Sequence, residues 1–362
     1  MVDTGGVVGA GGLDRGPAPE ELRAALEEFV DRPLRSALRS FGQDVIAFLG
    51  LVALSALLPG ALADLALGVM IGIVSANLFM IGHDAAHNSF THLPRLNAAL
   101  ARFCFTVNFH PTSAWRRVHH DVHHAMANDG AIDVVWRPPT VADYRRASPL
   151  GRCWLRLTRS TSGFGAYYFR SVWWQELVAP LRWRDRTDRA DLAWLVAAAT
   201  SMAALGVATG GWTGAAGLTV VPFATVCFWI GFVTYFNHTH PLVPWYFGDA
   251  PAEGPDPLHC TIRLYYPPVV GFFLGNIMEH TAHHVHPGVP LANLDKAQTR
   301  LGQLVGERAR EQRWTPAVHR WIVGTCKLYD PVNHSWTQWD GRPTPTGVAT
   351  PPRRRIWWSE PG

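Results

Sequence analysis

Residues 45–82 read VIAFLGLVALSALLPGALADLALGVMIGIVSANLFMIG, and Asp64 is the only charged residue in the whole stretch. A helix needs about 20 apolar residues to cross the hydrocarbon core of a bilayer. The stretch therefore reads as two spans, 45–62 and 64–82, broken near Pro59-Gly60. Farther on, LAWLVAAATSMAALGVA (192–208) and AAGLTVVPFATVCFWIGFVTYF (215–236) carry no charge and form a second pair turning at TGGWTG. The expected fold is an all-α integral membrane protein with four transmembrane helices and a cytoplasmic helical cap.

Charge placement supports this and sets an orientation. All 32 Lys and Arg lie outside the four spans, and none falls in the short turns 59–64 and 209–214. Basic residues stay on the cytoplasmic side, so the turns face out. The N-terminal segment 1–44, the 83–191 loop and everything after 236 then face the cytoplasm, with a bacterial inner membrane as the expected location. PEELRAALEEFVDRPLRSALRSF reads as a cytoplasmic helix, 301–341 as further cytoplasmic helices and 342–362 as a flexible basic tail whose Trp357 and Trp358 touch the interface. FGAYYFRSVWWQELVAPLRW (164–183) is too polar to span and suits an interfacial helix. Residues 96–109 and 265–278 are apolar but short, as buried or re-entrant segments would be.

The five cysteines are scattered without a CxxC pair, which argues against a thiolate metal site. A net charge of +4 is too modest to suggest nucleic acid as a partner. Arg182, Arg184, Arg186 and Arg189 suit anionic headgroups or an acidic protein better.

Histidines are the informative residues. GHDAAHNSF puts His83 and His87 at the end of the second span, and RVHHDVHHAM carries His119, His120, His123 and His124. FNHTHP ends the fourth span with His238 and His240, and GNIMEHTAHHVHP carries His280, His283, His284 and His286. The proposed topology brings all four clusters to one membrane face. On a helix, residues i, i+3 and i+4 share a side, so each cluster can aim imidazoles at one point. At least eight patterned imidazoles exceed what one four-coordinate ion uses, which implies two ions and chemistry rather than structure. Imidazole suits Zn, Cu, Fe and Ni alike. On an α-helix, His120 lies about 60° and 40° from His123 and His124, whereas His119 lies about 40° and 140° away. Helical geometry thus selects His120 and leaves His119 as a neighbour. A metal transporter is the rival class, but transport sites usually lie near the bilayer midplane, not at span ends.

GHDAAHNSF, SAWRRVHHDVHH and HTAHH, in this order around paired spans, resemble the three histidine boxes of the membrane fatty acid desaturase superfamily. HTHPLVPWY and NDGAIDVVWRP resemble its acyl-lipid, omega-type branch, and the resemblance covers about residues 45–300. It implies a non-haem di-iron centre, molecular oxygen as co-substrate, a lipid acyl chain as substrate and electrons from a separate ferredoxin- or cytochrome-type donor. The implied reaction is insertion of a double bond; hydroxylation, acetylenation or oxidation of a terpenoid or carotenoid would use the same ligands. The boxes imply ligands at His83, His87, His120, His123, His124, His280, His283 and His284, with His238 as the additional ligand before the last box. In the family's usual spacing, the histidine four residues after the tryptophan (Trp115) would be His119, so this chain departs by one residue. His240, Asn237 and Asn276 are weaker candidates. Asp84, Asp121, Asp129, Asp133 and Glu279 are expected to accept from the ligands' other ring nitrogens. His286 reads as a turn residue, and His92, His110, His259, His319 and His334 as ordinary histidines.

Overall fold

The computed structural model describes residues 17–58, 60–180, 185–251 and 255–344. Pro59, Arg182, Arg184, the tail from 345 and hence Trp357 and Trp358 lie outside these. The protein is predominantly helical. Its long elements are α2 (Leu34–Leu57), α3 (Ala61–Ala86), α9 (Arg186–Leu218) and α10 (Val220–His238), introduced by α1 (Pro19–Leu26). Between α3 and α9 come α4 (Pro94–Val107), α5 (Thr112–Arg116), α6 (Val141–Arg146), α7 (Pro149–Thr158) and α8 (Phe164–Tyr167). The C-terminal part holds α11 (Pro268–Leu274), α12 (His280–Val285), α13 (Leu294–Val305) and α14 (Pro316–Thr325).

Three helices are long and apolar enough to cross a membrane: Leu34–Leu57, Ala61–Ala86 and the composite Arg186–His238. The composite is not straight. Gly211 sits at φ 63°, ψ −147°, a left-handed conformation that interrupts the helix. A Cβ on Gly206 would stand 2.5 Å from the carbonyl oxygen of Gly214, so the chain doubles back there. Buried Asp64, in the first turn of α3, accepts from Thr213 Oγ1 at 2.8 Å and ties this turn to α3. The TGGWTG turn expected from the sequence is therefore present.

α3 is the central element and packs against α2, α4, α9 and α10. Its contact with α10 is close because of glycine: a Cβ at Gly72 would lie 2.5 Å from Thr225 Cβ, and one at Gly68 3.0 Å from Val221 Cβ. By contrast, α2 is mostly uncovered, and Ile46, Leu49, Leu62, Val196 and Trp212 are exposed around the bundle. So broad an apolar surface marks contact with lipid or a partner.

Several expectations need correcting. The N-terminal helix splits, because Pro33 cannot donate into a helix and restricts its predecessor; α1 stops at Leu26 and α2 starts at Leu34, ahead of the expected span start at 45. The chain is not wholly α. β1 (Arg263–Tyr265) pairs in parallel with β2 (Glu311–Arg313), and β3 (Leu328–Asp330) pairs antiparallel with β4 (Ser335–Thr337). Residues 301–341 therefore alternate strands with α14, where too few apolar residues recur to make a continuous helix. Residues 164–180 hold α8 followed by a π-helix, Tyr168–Val178, laid along α10 with Phe169 and Trp174 exposed; 181–183 lie outside the described residues.

Candidate metal centre

The site forms where α3 and α10 end. His83 and His87, one turn apart, project from the end of α3, and His238 is the last residue of α10. α12 presents His280, His283 and His284. α5 brings in the HHDVHH cluster and is held by the start of α9. Ser113 N donates to Asp191 Oδ2 at 2.7 Å, and Arg117 donates to Asp188 Oδ1 at 2.7 Å.

The imidazoles sort into two quartets. His83, His87, His119 and His283 place one nitrogen each within 4.8 Å of all the others, and so do His123, His238, His280 and His284. His124 stands between them. Its Nε2 is 3.2 Å from His119 Nε2, and its ring stacks on His284 at 4.5 Å.

The membership of His119 corrects the choice of His120. Residues Arg117–His124 wind as a π-helix, not an α-helix. A π turn bonds i to i+5, so His119 and His124 come one turn apart and both face inward. His119 stacks on buried Trp115 at 4.3 Å and meets His83 Nε2 at 3.1 Å. His120 belongs to neither quartet; its ring stacks on His87 at 3.9 Å.

Second ring nitrogens are fixed by acceptors. His123 Nδ1 donates to Asp133 Oδ2 at 3.0 Å, and His83 Nδ1 faces Asp84 Oδ1 at 3.4 Å. His238 Nδ1 donates to Asn128 Oδ1 and the Cys260 carbonyl, both at 3.1 Å. A nitrogen that donates outward leaves its Nε2 partner as a bare lone pair pointing in. His238 and His280 then face each other at 3.0 Å, and His280 and His284 at 3.1 Å. Among the described residues, His87 Nε2 and both nitrogens of His283 are buried without a partner. Burial and mutual repulsion push His119, His124, His280, His283 and His284 well below the usual histidine range. His120 is lowered to about 4, first by burial. Converging neutral imidazoles are the form that binds metal. Nitrogens about 2.1 Å from one ion and roughly 90–100° apart stand 3.0–3.2 Å from each other, so the residues fit two ions.

The remaining candidates divide clearly. Asp84 and Asp133 touch site histidines as expected, while Asp129 caps a loop through Ala131 N and Gly248 N. Asp121 is exposed. Glu279 pairs instead with Arg263 of β1. His240 has both nitrogens engaged, with Gln312 Oε1 at 2.9 Å and Leu242 N at 3.1 Å. Asn276 is not one helical turn before His280; it sits in a turn at φ 62° ahead of α12 and donates to the Leu291 carbonyl. Asn237 is fully buried with Oδ1 unpartnered, outside both quartets. His286 bonds Glu27 Oε2 at 2.8 Å and accepts from Gly288 N, tying α1 to the loop after α12. His110 is a structural bridge from Asn108 O to Tyr168 OH.

One residue escaped the sequence reading. Asn128 holds His238, donates Nδ2 to the Pro244 and Cys260 carbonyls, and gives its backbone N–H to Asp133. Its φ of 65° is the left-handed conformation that Asn tolerates. Asn-Asp-Gly directly after the second cluster was the available signal.

Imidazoles gathered in two quartets at the ends of long apolar helices define a helical protein with two candidate metal sites. Comparison with known proteins is more specific. Residues 55–316 match the Fatty acid desaturase family, and the chain belongs to that family. It is therefore an oxidoreductase of lipid metabolism. An sn-1 oleoyl-lipid 12-desaturase of Picosynechococcus sp. is 26% identical over 298 residues, covering 79% of this chain and 82% of that protein. An sn-1 acyl-lipid omega-3 desaturase (ferredoxin) of Nostoc sp. is 27% identical, covering 81% and 84%. A chloroplastic omega-6 fatty acid desaturase of Glycine max is 26% identical, covering 72% and 62%.

Proposed function

We propose that this protein is a di-iron desaturase of acyl chains esterified to membrane lipids. The observation that carries the reading is the pair of quartets, one buried and one partly buried, sharing His124 as a wall. In this reading His83, His87, His119 and His283 hold one iron, and His123, His238, His280 and His284 the other. Two irons bound there would supply oxygen activation, with molecular oxygen as co-substrate and electrons from a separate donor. The chain's own contribution is positional. Asp84, Asp133 and Asn128 hold their imidazoles in the tautomer that leaves Nε2 free, and burial keeps bulk water from the site. The names of the relatives support lipid-linked acyl chains as substrate and a ferredoxin-type donor.

The same proposal places four spans in the bilayer: α2, α3 and the two arms that meet at Gly211. Each arm has about 25 residues and reaches about 37 Å, enough for a hydrocarbon core of about 30 Å. The site then sits on the cytoplasmic side of a bacterial inner membrane, where an acyl chain arrives from lipid and electrons from water. Expression in a bacterium lacking polyunsaturated lipids tests the reading, with mass spectrometry locating any new double bond. Wild type should give an oxygen-dependent diene and contain two irons per chain, and His284→Ala should lose both. Full iron with a hydroxylated product, or no lipid product at all, overturns it.

A further inference from the structure

The surface of α7, remote from the histidines, divides into two strips. Leu150, Cys153 and Leu157 are exposed along one, with Leu150 84% and Leu157 47% accessible. Arg152 and Arg156 run along the other, and Arg145 and Arg146 of α6 extend it, all four exposed. At 100° per residue, the apolar strip and the arginine strip lie side by side on the outward half of the helix. The arginines are held in place. Arg156 Nε donates to Tyr144 Oη at 2.8 Å, and Arg152 donates to the Tyr144 and Arg145 carbonyls at 3.1 and 2.7 Å. Asp143 pairs with Arg146, but among the described residues no carboxylate pairs with Arg145, Arg152 or Arg156.

Placement agrees with composition. α7 leads into α8, which packs against α10 so closely that a Cβ at Gly165 would lie 3.0 Å from the Phe228 backbone. Phe228 is ten residues, about 15 Å, before His238. Through α8, α7 therefore adjoins the apolar part of the bundle. A helix with adjacent apolar and cationic strips suits the bilayer interface, apolar edge down and cations at headgroup level.

We infer that α7, with the end of α6, is a binding site for anionic phospholipid headgroups, with Leu150 and Leu157 inserted and Arg145, Arg152 and Arg156 engaging phosphate. A charged-strip partner without acyl chains, such as an acidic electron carrier, would leave Leu150 and Leu157 in water, so the lipid surface is favoured. The inference rests on the bundle lying in a bilayer and not on the metal centre.

Cys153 provides the test, since the other four cysteines are buried. The protein is labelled there with bimane and reconstituted in nanodiscs of phosphatidylcholine with phosphatidylglycerol, either lipid bearing a nitroxide near its headgroup. Quenching should be strong and should favour the phosphatidylglycerol nitroxide. Arg152→Gln with Arg156→Gln should reduce that preference by about fivefold for each arginine while leaving lipid quenching in place. Leu150→Cys in a Cys153→Ser background repeats the measurement should labelling at 153 disturb folding. Quenching by aqueous iodide but not by lipid overturns the inference, as does equal quenching by both nitroxides. So does an arginine double variant whose only change is weaker binding of an acidic electron carrier, with the nitroxide preference unaltered. Each result is read without desaturase turnover, so failure of the activity proposal would not be mistaken for failure here.

Discussion

Replacing His119 and His120 separately by alanine separates the two readings of the second histidine cluster. His119 supplies one of four nitrogens in the first quartet, 3.1 Å from His83 and 3.2 Å from His124. Its loss leaves three donors and uncovers Trp115, which it stacks on at 4.3 Å. Loss of a group that only orients a ligand weakens metal binding by about 10–100-fold. Loss of the ligand itself should reach at least the upper end, about 2.7 kcal/mol at 1.36 kcal/mol per tenfold. His120 lies in neither quartet and contributes a ring stacked on His87 at 3.9 Å. Its removal should cost less than about tenfold in affinity. The assay is iron per chain on purified protein after dialysis against a chelator series, paired with the double-bond content of host lipids. His119→Ala should drop from two irons toward one and lose product, whereas His120→Ala should keep both irons and most activity. If His120→Ala loses iron and His119→Ala retains it, the π-helical placement of this segment is wrong.

Asp133→Asn should weaken the second quartet by about 10–100-fold, because Asp133 accepts from His123 Nδ1; iron titration of the purified variant measures it. Asn128→Gly keeps the left-handed backbone but strips the Pro244 carbonyl of its partner and leaves His238 Nδ1 and the Cys260 carbonyl only each other, and should cost about 1–3 kcal/mol for the unsatisfied group, read as a fall in Tm. Gly72→Leu forces a side chain into Thr225 and Pro222 of α10 and should destabilise by about 1–3 kcal/mol or more, seen as faster thermal inactivation. Iron-free protein should lose stability as pH falls through the ordinary histidine value of 6.5. Buried His119, His124, His280, His283 and His284 resist protonation when folded but take a proton when unfolded. The slope is up to about 1.4 kcal/mol per pH unit for each such histidine, and denaturant melts between pH 7.5 and 5.5 measure it.

The long apolar helices were legible because charge exclusion over twenty residues is a coarse signal that packing cannot disguise; Asp64, the one acid in the first stretch, is buried against Thr213. The three clusters were legible because imidazoles at i, i+3 and i+4 are rare by chance. What escaped was set by local backbone. Assuming an α-helix through 117–124 favoured His120, and only the π winding shows His119 inward. A left-handed turn at Asn276 likewise diverts the chain ahead of His280, which residue spacing alone does not reveal. His240 matched a ligand position in sequence, but Gln312, seventy-two residues later, occupies its nitrogen. Such pairings depend on contacts between distant segments, which periodicity does not encode.

The glycine-lined contact between α3 and α10 has a further bearing on the site. His83 and His87 at the end of α3 belong to one quartet, and His238 at the end of α10 to the other. Gly72, where the two helices touch, lies eleven residues or about 16 Å from His83. The helices thus act as the two legs of a caliper joined inside the bundle, and the gap at its tips sets how far apart the two quartets stand. Magnetic coupling between the irons would then report on a residue deep among the spans, well away from any ligand.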